Sequence, residues 1–187
     1  MGKGLRVLGH PLHAALSHLP MGLLGTAPLW DAVGVWRGEP VWWAVSYWGV
    51  AAGLAFACVA ACAGAVDYAA IEEGDPALAA GSRHLTFVLA AMLPYVVGMF
   101  ARGGAEGPRG SAALAVLLLD GAGALLLGVG GWYGGHLVFH HGVGNDRLAA
   151  GHITREHVTD GKSEEEGSGS DLSTNQFIRG GGHTRGA

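Results

Sequence analysis

Charged side chains are scarce in this 187-residue chain and unevenly spread along it. They make up 14% of the sequence, against roughly 25% in an ordinary soluble domain. None occurs in residues 7–30, 40–66 or 84–101, and Asp120 is the only one between residues 110 and 145. Each stretch can hold the ~20 apolar residues that a membrane helix needs. The scarcity of charge therefore argues against a soluble enzyme and predicts four membrane spans.

Other absences exclude further classes of protein. The net charge is −4 and no basic cluster is present, which argues against binding to nucleic acid. The only cysteines, Cys58 and Cys62, lie one helical turn apart, where side chains cannot reach disulfide geometry. We find no Walker loop, dinucleotide fingerprint or hydrolytic triad. We therefore expect an electron-transfer or accessory subunit rather than an enzyme acting on its own.

The predicted fold is all-α: a four-transmembrane-helix up-down bundle with a polar, irregular C-terminal tail. A short basic arm at residues 1–9 precedes a membrane domain at residues 10–141. The predicted spans cover about residues 12–35, 42–70, 81–102 and 111–139, from the apolar windows between charges.

The tail, residues 142–187, carries 12 of the 26 charged side chains and is rich in Gly and Ser. It has too little apolar surface to offset the entropy of ordering, so we expect disorder unless a partner binds it. Phe177 and Ile178 are its only adjacent large apolar pair. The predicted partners are the lipid bilayer and other membrane-protein subunits, contacted through this tail, and no nucleic acid.

Histidines concentrate at one end of the predicted bundle. Four spans place both termini on one side, and all seven histidines of the membrane domain map to that end: His10, His13, His18, His84, His136, His140 and His141. Asp67, at the end of the second span, joins them. Ionisable groups within a membrane are functional candidates by default, because burying them is costly.

A b-type haem is one ligand that this end could hold. Haem in a helical bundle takes two imidazoles from facing helices. His18 lies a turn or two inside the first span, so we expect it to face His84 or His141, with His10 and His13 as further candidates. We predict that His18 and His84 both face inward, with ligand nitrogens about 4 Å apart across the iron.

Two alternatives stay open for the same end. His136 and His140 are four residues apart on one helix face and could bind a single metal ion with Asp67. Histidine also tolerates the membrane interface well, so the cluster could instead bond backbone carbonyls, headgroups or other histidines. The protein would then be a cofactor-free accessory subunit, or one that handles protons.

Two carboxylates lie at the opposite end of the bundle. Asp31 comes late in the first span and Asp120 early in the fourth. We expect both to face the bundle interior, because a lipid-facing carboxylate is costly. They could carry protons or line a quinone pocket. They could instead bond a Trp or Tyr on a neighbouring helix, or cap and tether the ends of the spans.

Two motifs resemble those of an uncharacterised membrane family labelled domain of unknown function 2231. HPLHAALSHLPMGLLGTAPLWD, residues 10–31, resembles its opening signature, and GWYGGHLVFHHGVG, residues 131–144, its closing one. RHLTF, residues 83–87, lies where the family has a histidine at the start of the third span. The resemblance implies these matching polar positions: His10, His13, His18, Asp31, Asp67, His84 and His141. Some members carry a Rieske iron–sulfur domain, which suggests electron transfer, but this tail has no cysteine.

We therefore predict a small integral membrane cytochrome-like electron-transfer subunit with haem b bound by histidines at the end bearing the termini. The predicted location is the cell (inner) membrane, with several passes. The basic residues on the terminal side are Lys3, Arg6, Arg83, Arg147 and Arg155, against Arg37, Arg102 and Arg109 on the other. Five against three predicts cytoplasmic termini by the positive-inside rule.

Overall fold

The computed structural model describes residues 5–8 and 10–143, which form an all-α bundle. Its helices are α1 (Leu12–Arg37), α2 (Pro40–Ala69), α3 (Ala77–Arg102) and α4 (Ala112–His141). Before them, β1 (Arg6–Val7) pairs antiparallel with β2 (His10–Pro11). The predicted fold is confirmed, whereas the predictions for the tail, including Phe177 and Ile178, lie outside the described residues.

Glycine and proline determine where the helices begin and end. Gly38, Gly103 and Gly142 follow α1, α3 and α4 in the left-handed conformation, with φ of 68°, 68° and 65°. Glycine adopts this conformation without a steric cost, so it ends a helix efficiently. The α3 helix begins four residues earlier than the predicted Gly81, because the Asp75 carboxylate accepts the Ala77 N–H at 2.8 Å and caps the first turn.

Three of the described helices, α2, α3 and α4, are long and apolar enough to cross a membrane. The α1 helix matches α3 in length, at 26 residues, but histidine, proline and glycine make it less apolar. Large apolar side chains such as Phe100, Leu125 and Trp132 are mostly exposed on the outside of the bundle. An outer surface of this kind suits lipid, and the chain is a multi-pass membrane protein.

The bundle consists of two helical hairpins, α1–α2 and α3–α4. Contacts within each hairpin are more extensive than those between them, and between hairpins α1 packs mainly against α4. The first helix of each hairpin has 26 residues and the second has 30. The hairpins therefore match in size and in order of elements.

The buried positions of the first hairpin recur in the second. In α1 and α3 the matching residues are 71 apart, as in Leu24 with Tyr95 and Asp31 with Arg102. In α1 and α3 the pairs are Pro20 with Ala91, Leu24 with Tyr95, Ala27 with Gly98, and Asp31 with Arg102. In α2 and α4 they are Ser46 with Val116, Val50 with Asp120, Gly53 with Gly123, and Ala60 with Gly130. The two hairpins therefore repeat one packing pattern. Matching residues also contact each other, as Leu24 and Tyr95 and as Asp31 and Arg102 do, which is the contact expected of an approximate two-fold relation.

Glycine brings the helices of each hairpin into close contact in the core. A Cβ at Gly53 would lie 2.7 Å from the Leu24 side chain, and one at Gly123 would lie 2.6 Å from the Tyr95 ring. Each glycine thus packs directly against a side chain of the preceding helix, and Leu24 and Tyr95 occupy matching positions. The two residues also contact each other, because the Tyr95 hydroxyl donates to the Leu24 backbone carbonyl at 2.8 Å.

Candidate functional site

Two histidines at matching positions of the hairpins face each other near the N-terminal ends of α1 and α3. The Nδ1 atom of His13 lies 2.8 Å from the Ala60 carbonyl oxygen, and that of His84 lies 2.8 Å from the Gly130 carbonyl oxygen. A carbonyl oxygen only accepts, so each Nδ1 carries the proton and donates it. The Nε2 atom of each neutral ring is then left with a free lone pair.

Glycine makes room for both imidazole rings. A Cβ at Gly64 would lie 2.8 Å from the His13 ring, and one at Gly134 would lie 3.1 Å from the His84 ring. Each glycine comes four residues after the carbonyl that its histidine contacts. Each histidine therefore contacts a carbonyl and packs against a glycine on the second helix of its own hairpin.

The His13 and His84 rings are arranged as a pair. Their centroids are 6.1 Å apart and their planes meet at 81°. When two imidazoles bind one metal, each nitrogen lies ~2 Å from it, which separates the ring centroids by about 6 Å. Anchoring Nδ1 to a carbonyl is also the usual way in which proteins orient a metal-binding histidine. The geometry of this pair suits a shared ligand between the rings.

The expectation that His18 faces inward is wrong. His18 is exposed on the outside of α1, whereas His13 is half-buried and faces His84. Five residues along a helix correspond to a rotation of roughly 140°, so the two histidines cannot share a face. His10 is exposed on β2. Among His10, His13 and His18, only His13 lies beside His84, which was the partner predicted for His18.

A second group of histidines ends α4. The His136 ring centroid lies 4.4 Å from that of His140 and 5.3 Å from that of His141, and only His141 is half-buried. Asp67 instead accepts the Leu5 backbone N–H at 2.7 Å. In residues 5–8 and 10–143, no three side chains of His, Cys, Asp or Glu are placed to hold a metal ion. Asp67 is therefore directed to the N-terminal arm rather than joined to His136 and His140 as the metal site required.

The two predicted intramembrane carboxylates meet a buried arginine. Arg102 donates from Nη1 to Asp31 Oδ1 at 2.7 Å and from Nη2 to Asp31 Oδ2 at 2.8 Å, and it also donates from Nη2 to Asp120 Oδ2 at 2.5 Å. All three side chains are 0% exposed. We call Asp31, Arg102 and Asp120 the ion cluster. It joins the first hairpin to both helices of the second.

The ion cluster is not fully satisfied. It contains two carboxylates and one guanidinium, so it carries a net charge of −1 when both carboxylates are ionised. Arg102 Nε and Asp120 Oδ1 are buried and have no hydrogen-bond partner. A Cβ at Gly98 would lie 2.8 Å from Asp120 Oδ1, so the absence of a side chain there admits the carboxylate. A buried acceptor of this kind is costly and marks a place where a further group can bind.

A cavity of about 650 Å³ lies beside the ion cluster, in the connection between α3 and α4. It is open to the outside and is lined by residues 101–107 and by Arg109. Arg102 belongs both to this lining and to the ion cluster. One residue of the ion cluster therefore lines a cavity that opens to the surface, while its guanidinium is 0% exposed.

Sequence reasoning missed the role of Arg102. It counted this residue with Arg37 and Arg109 at that end of the bundle, and it offered a Trp or Tyr as one possible partner of each carboxylate. Arg102 instead turns inward and pairs with Asp31 and Asp120. The sequence signal was that Arg102 ends an uncharged span, and that this span ends on the same side of the bundle as Asp31 and Asp120. The outer basic residues used to predict orientation are then Arg37 and Arg109, and that orientation stays a prediction.

One family comparison bears on these sites. A family model described as "Predicted membrane protein (DUF2231)" matches residues 9–147, which include His13, His84 and the whole ion cluster. No curated protein matches the chain, and no solved structure does.

Proposed function

The chain belongs to the DUF2231 family of predicted membrane proteins, and we propose that it is a small electron-transfer subunit that binds a b-type haem between His13 and His84. The observation that carries this proposal is the matched pair of imidazoles, whose ring centroids are 6.1 Å apart. A bound haem would supply one-electron transfer at this end of the bundle.

Each ring is oriented before any ligand arrives. The carbonyls of Ala60 and Gly130 hold the two Nδ1–H groups, so neither imidazole rotates freely about its side-chain bonds. An anchored Nδ1 also makes the opposite nitrogen a better electron donor to iron. His13 and His84 would thus hold the haem, and the backbone carbonyls of Ala60 and Gly130 would keep them oriented.

The surroundings of the pair support a ligand that enters between α1 and α3. These two helices make few direct backbone contacts with each other, because each packs mainly against the second helix of its own hairpin. Both rings are half-buried, so they lie neither in the packed core nor free on the surface. His13 is the second residue of α1, so the pair lies near the end of the bundle rather than at its middle.

The optical spectrum of the purified protein tests the proposal. We expect Soret and alpha bands in the reduced-minus-oxidised spectrum after expression with an adequate haem supply. His13→Ala and His84→Ala should each abolish or shift these bands, whereas His18→Ala, on the outside of the same helix, should leave them unchanged. Full-length protein that folds but shows no bands, or bands that survive both substitutions, would overturn the proposal.

A metal ion without a porphyrin is the second candidate for the pair, since two free Nε2 lone pairs also suit a transition-metal ion. Metal analysis of the same preparation distinguishes the two. A stoichiometric metal without Soret absorbance, lost in His84→Ala, would assign the pair to a metal-binding protein. Neither haem nor metal would leave the cofactor-free accessory role.

An electron-transfer subunit needs a donor and an acceptor, and we propose that residues 142–187 bind another membrane-protein subunit. The support is compositional: the tail is polar and Gly-rich, with Phe177 and Ile178 as its adjacent apolar pair. Deleting the residues after Gly161 should leave the bundle folded and should reduce co-purification with the partner subunit. Unchanged co-purification would contradict this role.

A further inference from the structure

The ion cluster is a second candidate site, and its argument does not depend on the haem proposal. It lies at the opposite end of α1 and α3 from His13 and His84. We propose that Asp120 reversibly binds a proton and exchanges it with the aqueous phase through the cavity between α3 and α4. The proton adds to Asp120 Oδ1 from water in the cavity, which converts the carboxylate to a carboxylic acid, and it returns by the same route.

Charge balance is the first reason for this proposal. The guanidinium of Arg102 compensates one carboxylate fully and must share its Nη2 with the second. A net charge of −1 in a dry interior is strongly unfavourable, and one added proton brings the cluster to neutrality. The cluster therefore has one more negative charge than its surroundings balance, which sets the stoichiometry at one proton.

The hydrogen bonds indicate which oxygen receives the proton. Both oxygens of Asp31 accept hydrogen bonds from Arg102, in the bidentate geometry that stabilises an ionised carboxylate. Asp120 engages Arg102 through Oδ2 alone, and its Oδ1 is buried without a partner. Oδ1 is also the atom admitted by the missing side chain of Gly98. Asp120, rather than Asp31, is thus the carboxylate that can gain a proton without losing a hydrogen bond.

The other polar groups around Asp120 leave it as the site of exchange. On α3, Tyr95 lies near enough to interact electrostatically with both carboxylates, but its hydroxyl donates to the Leu24 carbonyl. On α2, the buried Ser46 hydroxyl is uncharged and donates to the Ala27 carbonyl at 3.3 Å. Glu106 and Arg109 line the outer cavity. Neither Tyr95 nor Ser46 donates a hydrogen bond to Asp120 Oδ1.

The route to the aqueous phase follows from the place of Arg102. Its residue lines the cavity between α3 and α4, and its side chain contacts both carboxylates. Gly103, Gly104 and Gly107 in this lining have φ of 68°, 136° and 97°, a conformation that favours glycine. Arg102 is the residue of the ion cluster that this lining includes, so the exchange passes beside it.

Infrared difference spectroscopy tests proton binding directly. Full-length protein in detergent is titrated between about pH 6 and pH 9, a range in which exposed carboxyl groups stay ionised. We expect a carboxylic-acid C=O band that grows as the pH falls and corresponds to one group per chain. The band should be absent in Asp120→Asn and retained in the control Glu73→Gln, whose side chain is exposed in the connection between α2 and α3. A band that persists in Asp120→Asn, or no band in the wild type, overturns the proposal.

A second measurement separates proton binding from a purely structural ion pair. The melting temperature of the wild type should fall as the pH rises, because the cluster then gains its uncompensated charge. In Asp120→Asn this dependence should be lost, since the amide keeps the shape and does not titrate. Equal pH dependence in the two proteins would show that Asp120 acts only in packing. If Asp120→Asn does not fold, Gly98→Ala replaces it: crowding Oδ1 should shift the midpoint of the infrared titration, and an unchanged midpoint contradicts the proposal.

Discussion

Matching residues of the two hairpins touch at both ends of the bundle, and the two contacts differ in kind. At one end, His13 and His84 are the same residue and their rings pair with similar backing. At the other end, matching positions carry opposite charges, Asp31 and Arg102. Under a two-fold relation, a residue at the contact faces the matching residue of the other hairpin. The two residues can be identical only if they do not repel each other, and otherwise one of them must differ. Neutral imidazoles can share one ligand, whereas two aspartates or two arginines at the buried contact would repel.

A second difference adds a function to this complementarity. Val50 in the first hairpin matches Asp120 in the second, so only one copy has the additional carboxylate. The Asp31–Arg102 pair is enough to join the hairpins, and Asp120 makes the cluster negative. The two proposals therefore assign a shared ligand to the end with identical residues and proton exchange to the end with different ones.

The largest expected effect follows from removing the only cation of the cluster. Arg102→Met leaves Asp31 and Asp120 buried without compensation, so we expect a loss of about 3–5 kcal/mol in the free energy of unfolding. Thermal and denaturant unfolding in detergent measure it. Arg109→Met, in the exposed connection between α3 and α4, is the control and should change stability by less than ~0.5 kcal/mol. Equal effects of the two substitutions would contradict a stabilising cluster.

Exchanging the charges between the hairpins tests the two-fold relation. Asp31→Arg with Arg102→Asp should destabilise by roughly 2 kcal/mol or more, because the new carboxylate then lies beside Asp120 without the guanidinium between them. Adding Val50→Asp and Asp120→Val moves the additional carboxylate to the other hairpin as well. The fourfold variant should recover more than half of the lost stability, as measured by unfolding. If it is no better than the double variant, positions 50 and 120 are not equivalent.

Glycine substitutions test the close contacts within the hairpins. Gly123→Ala places a Cβ 2.6 Å from the Tyr95 ring, and Gly53→Ala places one 2.7 Å from Leu24. We expect each to destabilise by about 1–3 kcal/mol, since overpacking forces the backbones apart. Gly121→Ala and Gly49→Ala meet nothing within 4 Å and are the matched controls. The controls should be neutral or slightly stabilising, because Ala favours helix.

The same approach sharpens the comparison at the histidine end. Gly64→Ala and Gly134→Ala would place a Cβ 2.8 Å and 3.1 Å from the rings of His13 and His84. Each should lower haem occupancy several-fold, with the larger loss for Gly64→Ala because its contact is closer. Gly135→Ala meets nothing within 4 Å and should leave occupancy unchanged. Haem content per chain, from the pyridine haemochrome spectrum, measures the effect, and equal occupancy in all three contradicts the site.

The smallest expected effect concerns the middle of the two-fold contact. Tyr95→Phe removes the hydrogen bond to the Leu24 carbonyl and should cost about 1 kcal/mol of stability. Tyr133→Phe is a control on the same hairpin, since its ring stacks on Phe87 and the stack does not need the hydroxyl. Unfolding in detergent compares the two. A larger loss in Tyr133→Phe would show that the Tyr95 hydroxyl is unimportant.

Several residues show how far the sequence predicts the site. The end of the bundle occupied by each histidine and each carboxylate follows from counting spans, and that placement agrees with the helices observed. The choice of His18 over His13 failed because depth in the membrane was considered without the helix face that packs inward. Arg102 was missed because a charge at the end of a span resembles an interfacial anchor until its partners are known.

The sequence by itself determined the helices and their membrane character, because both depend on local properties: apolar length, glycine and proline at helix ends, and the spacing of charges. Only the tertiary structure decided that the hairpins are copies, since Gly53 with Gly123 is the single identical pair among their matching buried residues. It also decided that residues 71 apart touch, as Asp31 and Arg102 do. Packing needs similar volume and depth at matching positions rather than the same residue, so a repeat can persist in the contacts after it has faded from the sequence.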